Sequence, residues 1–274
     1  MQASFAPGLH IAAGQAANVL AYDGWVGRWS RLFVPAVISA AEIAPGHRVL
    51  DVSTGTGEAA LMALPAVSAS GAVIGADIAT AMLVGARDRL ADPLFHPVAA
   101  DGQALPFMNG AFDAVICQLG LQFFPDPARG LMEFCRVLKP GCRAAVCVIS
   151  SPDRAPMFGV LADVLSRFVP EQRDLLHLSF ALADANRLEG MFVSAGFHEV
   201  RVERMQREDA VASYDEYWAP IETGMMGSQP QIYVSLPETD RRAVREEVNS
   251  RLSPFLSNGR LVMRAEMLIA VGRA

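Results

Sequence analysis

Three carboxylates, two glycines and an amide stand where this chain could hold a ligand. The stretch Arg48-Val-Leu-Asp51-Val-Ser53-Thr-Gly55-Thr-Gly57-Glu58 passes from an apolar run through a carboxylate into a glycine loop, then into an apolar helical pattern. Glycines let backbone N–H groups approach a ligand closely, and a helix N-terminus beyond them adds a positive dipole end. Asp51 sets the chemistry, because a carboxylate there suits a cationic or hydroxyl-rich ligand better than a pyrophosphate. Asp77 follows Gly57 by about 20 residues, the position from which a carboxylate takes both hydroxyls of a ribose. It would equally serve as the cap of a helix starting near Thr80. Asp101, followed by Gly102, can accept from an exocyclic amine while the neighbouring N–H reaches a ring nitrogen, or can simply make an Asp-Gly turn. Gln118 closes an apolar run just before Gly120 and puts a polar side chain at a strand end.

These residues need strands to carry them. Apolar runs predict strands at 48–52, 72–77, 95–99, 112–118 and 143–150, with helical patterns between them at 58–64, 80–90 and 127–137. Such alternation predicts an α/β fold with a doubly wound, mostly parallel sheet and right-handed crossovers. Ligands of such sheets sit outside the carboxyl ends of the strands, where the residues above fall. A helix, a glycine stop and a further strand follow around Gly196, and residues 261–271 read as a last strand. The expected organisation is a helical preface over 1–45, an α/β core over 46–150, and a third region over 151–274. That region contributes core strands near 197–206 and 261–272, with helical insertions near 151–182 and 208–258.

The chain has 274 residues, 52% hydrophobic and 19% charged, enough for one large core. A net charge of -6 argues against a surface that tracks phosphates, so no nucleic-acid partner is expected. No apolar run is long enough to span a membrane, and no signal peptide is read at the N-terminus, which makes the cytoplasm the expected location. The four cysteines, Cys117, Cys135, Cys142 and Cys147, have no metal-ligand spacing and read as small hydrophobes; no metal is expected.

Taken alone, Gly55-x-Gly57-x-x-Ala60 also fits the fingerprint of NAD enzymes. Four strand ends with suitable polar groups in order narrow the choice. Val49-Leu-Asp-Val-Ser-Thr-Gly-Thr-Gly, Ile74-Gly-Ala-Asp77-Ile, Ala100-Asp-Gly-Gln-Ala-Leu-Pro-Phe, Phe112-Asp113-Ala-Val and Arg136-Val-Leu-Lys-Pro-Gly141 together resemble class I S-adenosylmethionine-dependent methyltransferases of the ubiquinone/menaquinone-biosynthesis type. Tyr22-Asp-x-Trp25-x-x-Arg28-Trp29 is similar to the N-terminal helix of such enzymes. The resemblance is good over residues 20–150 and looser beyond.

It implies a seven-stranded Rossmann-like sheet with helical cap insertions, and S-adenosylmethionine as cofactor. Gly55 and Gly57 would hold the methionine part, with Asp51 near its amino group. Asp77 would bind the ribose, Ile78 and Met82 line the adenine, and Asp101 with Gly102 reach the adenine edge. Gln118 would sit near the methionine moiety or the transferred methyl. Tyr22 and Arg28 belong to the preface, with Arg28 near the methionine carboxylate. The aromatic stripe Tyr22, Trp25, Trp29 serves either as a lid or as ordinary helix docking. Ser53 stands where the family pattern has glycine, and the expectation is an ordinary backbone conformation there.

Asp51 separates the two cofactors independently. A pyrophosphate about 4 Å from it, at an effective dielectric near 20, meets a repulsion on the order of 4 kcal/mol that a sulfonium and ammonium escape. The implied reaction is methyl transfer to a small-molecule O, C or N acceptor. Met157-Phe158, Phe168, Phe180, Tyr214, Tyr217-Trp218 and Met225-Met226 in the insertions suit a moderately hydrophobic or aromatic one. His177 and His10 are the histidines placed to act as base. An NAD-dependent oxidoreductase and a protein that binds S-adenosylmethionine without transferring methyl are the alternatives. The sequence leaves room for a homodimer without specifying one.

Overall fold

The apolar runs of the first half become parallel strands. The computed structural model describes residues 26–224 and 227–274. In it β1 (Arg48–Val52), β2 (Ala72–Asp77), β3 (Phe95–Ala99), β4 (Phe112–Gln118) and β5 (Leu138–Ile149) lie parallel to one another. They are joined by β6 (His198–Val211), the two-residue β7 (Leu256–Ser257) and β8 (Arg260–Arg273). The order is β3-β2-β1-β4-β5-β8-β6, with β7 paired onto β8 off that path. β8 runs antiparallel between β5 and β6. The expected seven-stranded, mostly parallel sheet is thus present, with β7 as a small addition. Strand order reverses between β1 and β4, so the crevice of a doubly wound fold opens at the carboxyl ends of these two strands.

Alternation along the strands sends side chains to two faces. Val49, Val73, Ile116, Ala145 and Cys147 enter one buried cluster, while Leu50, Val52, Ile74, Val115 and Val146 enter the other. Eleven helices are described. α1 (Arg28–Arg31), α2 (Val34–Ala40), α3 (Glu58–Val67) and α4 (Thr80–Leu90) precede β4; α5 (Pro127–Val137) follows it. After β5 come α6 (Pro156–Phe168), α7 (Arg173–Leu176) and α8 (Ala185–Ser194), and after β6 come α9 (Tyr214–Glu222), α10 (Ser228–Ser235) and α11 (Glu238–Leu252). α2, α3, α6, α9 and α11 bury side chains in the first cluster, and α5 and α8 in the second. The caps follow from local chemistry. Asp126 accepts from Arg129 N with Pro127 opening α5, and Asp184 and Ser213 cap α8 and α9 in the same way.

Two boundaries differ from the sequence expectation. β5 starts at Leu138 rather than residue 143. β6 runs to Val211, so residues 208–211 are strand and not part of a helical insertion. The cause is tertiary: polar Gln206 to Ala210 find partners in register on β8, from Glu266 to Val262. Met267 is the last β8 residue paired with β5, at Ile149, so the β6–β8 ribbon extends beyond the carboxyl edge of the parallel strands. Leu261, Met263 and Ala265 of this ribbon share the first cluster with Tyr217, Trp218, Val244 and Val248, which ties the later helices to it as a cap. Among the described residues no helix is long and apolar enough to cross a membrane.

Candidate functional site

Asp51 ends β1 fully buried, on the face shared with Val49. Its Oδ2 accepts from Thr54 Oγ1 at 2.6 Å, and its Oδ1 has no hydrogen-bond partner among the described residues. Burial pushes its carboxyl up to about 7; the Thr54 bond and the Ala60 backbone N–H oppose that, and the nearby Asp77 charge adds to it. The loop beyond turns through Gly55 (φ 55°) and Gly57 (φ 82°). Ser53 corrects the sequence expectation, because it adopts φ 57° in the left-handed region rather than an ordinary conformation. Across the crevice Gly120 explains how it fits: a Cβ on Gly120 would lie 2.4 Å from Ser53 Cβ. Leu119, also at the carboxyl end of β4, is left-handed as well, at φ 55°. Two strained non-glycine residues thus face the switch point from both sides, as happens at sites where function fixes the backbone.

Asp77 accepts from Gly55 N through Oδ2 and from Ala79 N through Oδ1, both at 2.8 Å. It therefore fixes the glycine loop as well as the entry to α4, and burial raises its carboxyl above the usual range. Beside it Ile78 is 39% exposed, an apolar side chain facing outwards, and Met82 is buried on the first turn of α4. Asp101 is used locally. Its Oδ1 accepts from Gln103 N at 2.8 Å and from Gln103 Nε2 at 3.2 Å, which is the turn-forming reading. Gly102 is required by packing, since a Cβ there would meet the Phe124 ring at 2.4 Å. Glu58 opens α3 buried between Arg31 (3.0 Å) and Arg89 (2.7 Å).

Gln118 donates from Nε2 to Ser30 O at 3.2 Å, while its buried Oε1 has no partner among the described residues. This bond seats α1 against the end of β4. Trp29 is fully buried, edge-on to Phe158 at 6.3 Å, so the described part of the aromatic stripe docks on the cap. Arg28 is placed differently from its expected role near a methionine carboxylate. Its guanidinium is bound by Asp209, Glu216 and Ala210 O, which clamp the preface to β6 and α9. Tyr22, Trp25, His10 and Met225-Met226 lie outside the described residues.

His177 joins two helices of the cap. Ser166 Oγ donates to Ala162 O at 2.7 Å, so at 3.1 Å it is the acceptor for His177 Nε2–H. Asp163 lies 3.6 Å from the same nitrogen, and burial lowers the imidazole below its ordinary value despite that charge. Burial raises the Cys117 thiol and pushes that of Cys147 up to about 12, which leaves both as packing residues. Among the described residues no cluster of His, Cys, Asp or Glu could hold a metal ion.

The site therefore gathers Asp51 and Asp77 around one glycine loop, Glu58 being already paired with two arginines, and among the described residues Asp51 and Gln118 keep unsatisfied buried acceptors. This arrangement welcomes an ammonium and repels a pyrophosphate. Sequence reasoning missed Thr54, readable as the residue three beyond Asp51, and Gln122. The latter is 2% exposed with neither amide atom bonded among the described residues, and its sequence signal was a polar residue in an apolar stretch.

The profile of the ubiE/COQ5 methyltransferase family matches residues 27–214. A demethylmenaquinone methyltransferase of Renibacterium salmoninarum is 38% identical over 148 residues, 54% of this chain and 58% of that protein. The chain thus spans little more than half the length of that relative. A ubiquinone/menaquinone biosynthesis C-methyltransferase of Teredinibacter turnerae is 32% identical over 193 residues, 64% of this chain and 76% of that protein. The fold is shared with a solved phosphoethanolamine N-methyltransferase 2 of Haemonchus contortus in complex with S-adenosyl-L-methionine. There the TM-score is 0.56 at 18% identity, covering 93% of this chain and 56% of that one.

Proposed function

The chain belongs to the ubiE/COQ5 methyltransferase family, and from that premise we propose that it transfers a methyl group from S-adenosylmethionine to a ring carbon of a small quinol-type acceptor. The acceptor class follows the names of the relatives; the cofactor rests on the site itself. The observation that carries it is the buried Asp51 Oδ1, a carboxylate oxygen left without a donor beneath the glycine loop. An ammonium supplies the missing donor, and Gln118 Oε1 offers a second acceptor nearby on the same face of the sheet. Asp77 keeps lone pairs for ribose hydroxyls beyond its two backbone bonds, Ile78 and Met82 form the apolar wall for adenine, and Asp101 with Gly102 border its edge. NAD would set its pyrophosphate beside Asp51 and Asp77, so the same residues disfavour it.

When bound, S-adenosylmethionine supplies an electrophilic methyl: the acceptor carbon forms the new C–C bond, the C–S electron pair returns to sulfur, and the ring proton leaves to solvent. The chain's part is alignment and exclusion of water, which can contribute up to about 7–11 kcal/mol for well-oriented partners. Asp51 and Asp77 would hold two ends of the cofactor, and Trp29 with the helices over the β6–β8 ribbon would shield it from water. His177 is held within the cap by Ser166, and an acceptor whose ring hydroxyls already activate it needs no histidine base.

Calorimetry with S-adenosylmethionine and NADH tests the cofactor. Binding of the former, weakened at least about tenfold in Asp77→Ala, with none of the latter, is expected. NADH binding without S-adenosylmethionine binding would overturn the reading. Transfer from methyl-tritiated S-adenosylmethionine to 1,4-naphthalenediol tests the acceptor class, and tight cofactor binding without transfer to any small acceptor would leave a binding protein.

A further inference from the structure

Gln122 is a buried residue with both amide atoms unpaired among the described residues, and cofactor binding does not explain it. It lies in a single 3-10 turn, Leu121–Phe123, immediately after the strained Leu119 and Gly120. Leu121 and Phe124, one such turn apart, point together into the core beneath α5. Gln122 points about a third of a turn away from them and is still only 2% exposed. Its turn packs against the end of β5 and against the Leu178–Phe180 turn of the cap. The amide is therefore enclosed where the carboxyl ends of β4 and β5 meet the cap, four residues beyond Gln118. Neither its Oε1 nor its Nε2 has a partner among the described residues. A Met or Leu would fill this space without the desolvation cost of an unpaired amide.

An adjacent donor and acceptor match a hydroxyl, which both gives and takes a hydrogen bond. We propose that Gln122 is an acceptor-binding residue, its amide holding a ring hydroxyl of the methyl acceptor. This rests on the methyl-transfer reading above. Oε1 accepts the hydroxyl proton without removing it, and Nε2 donates to the same or a neighbouring ring oxygen. The hydroxyl is thereby fixed in direction, and with it the ring carbon that must meet the methyl.

Full-length wild-type protein and Gln122→Met are compared with 1,4-naphthalenediol as acceptor. Gln122→Met is expected to melt at the same temperature or higher, and to bind S-adenosylmethionine within about twofold of wild type. Its kcat/KM for the diol should fall about 10- to 100-fold, mostly through KM, as for loss of one or two buried hydrogen bonds. Gln122→Leu serves if the first variant misfolds, and the Kd of the diol for protein saturated with S-adenosylhomocysteine gives a second readout. A folded variant with unchanged KM and Kd for the diol overturns the proposal, as does a cofactor affinity that falls in step with the acceptor's. A merely structural role would lower the melting temperature and leave KM alone. Should wild type bind S-adenosylmethionine but neither bind nor methylate the diol, the acceptor reading fails first and takes this assignment with it.

Discussion

Burial disfavours the charged form of Asp51 and pushes its carboxyl up to about 7. Its carboxyl is raised above the 3.8 of the unfolded chain. The stability it contributes is therefore complete below about pH 4 and declines as pH rises to about 7, by on the order of 4 kcal/mol at full effect. A bound ammonium reverses the preference. Affinity for S-adenosylmethionine should accordingly rise with pH up to about 7 and level off above it, with a proton released on binding at lower pH. Asp51→Asn should flatten both profiles and weaken the cofactor at least about tenfold at pH 8. Thermal melts and calorimetry between pH 5 and 8.5 check this; a pH-independent affinity in wild type would remove Asp51 from the ammonium. The roles of Asp51 and Asp77 were legible because strand ends are legible, and a carboxylate after an apolar run announces itself. Arg28 was not, since its partners Asp209 and Glu216 lie 181 and 188 residues away and the preface alone gives no hint of them.

Loops become legible only in pairs at the scale of elements. Ser53 reads in sequence as a tolerable replacement for glycine, yet its left-handed backbone and its space both depend on Gly120 of another loop. Gly120→Ala should destabilise the protein by about 1–3 kcal/mol through overpacking. Ser53→Gly should recover part of that loss in the double variant, since it removes the clashing Cβ and admits the left-handed conformation. Urea unfolding of the four-member cycle measures the coupling, and additive effects would show that the two loops relax independently. The strands of the parallel half were readable to the residue for β1 to β4, where hydrophobic runs and burial coincide. β6 was readable only in part. Arg207, Glu208 and Asp209 are polar, and they are held as strand by the register with β8, which no local pattern encodes.

The molecule as a whole must join a parallel nucleotide-type sheet to an antiparallel ribbon that carries its cap, and Glu266 sits at that junction. Its side chain is 3% exposed and accepts from Ser150 Oγ at 2.9 Å, and from Arg154, Arg204 and Gln206 at 3.0 Å each. These residues come from the turn after β5, from β6, and from β8 itself, so one carboxylate ties three segments together. Nothing local to Glu266 names its partners, which lie 60 to 116 residues from it. Burial alone would raise its pKa; the bonds from Gln206, Ser150, Arg204 and Arg154 outweigh that and hold it below the usual glutamate value. Its contribution is thus present above about pH 4.5 and lost as pH falls through the lowered folded value. Glu266→Ala should cost about 2–4 kcal/mol. That is less than the 3–5 of a fully buried pair, because Arg154 and Arg204 are half exposed and can turn to water. Since the network makes no contact with the glycine loop, S-adenosylmethionine affinity at pH 7.5 should remain within about twofold. Urea titrations at pH 4 and 7.5 separate the cases: the difference between wild type and variant must be larger at pH 7.5. An equal difference at both values would mean that Glu266 acts through packing and not through its charge.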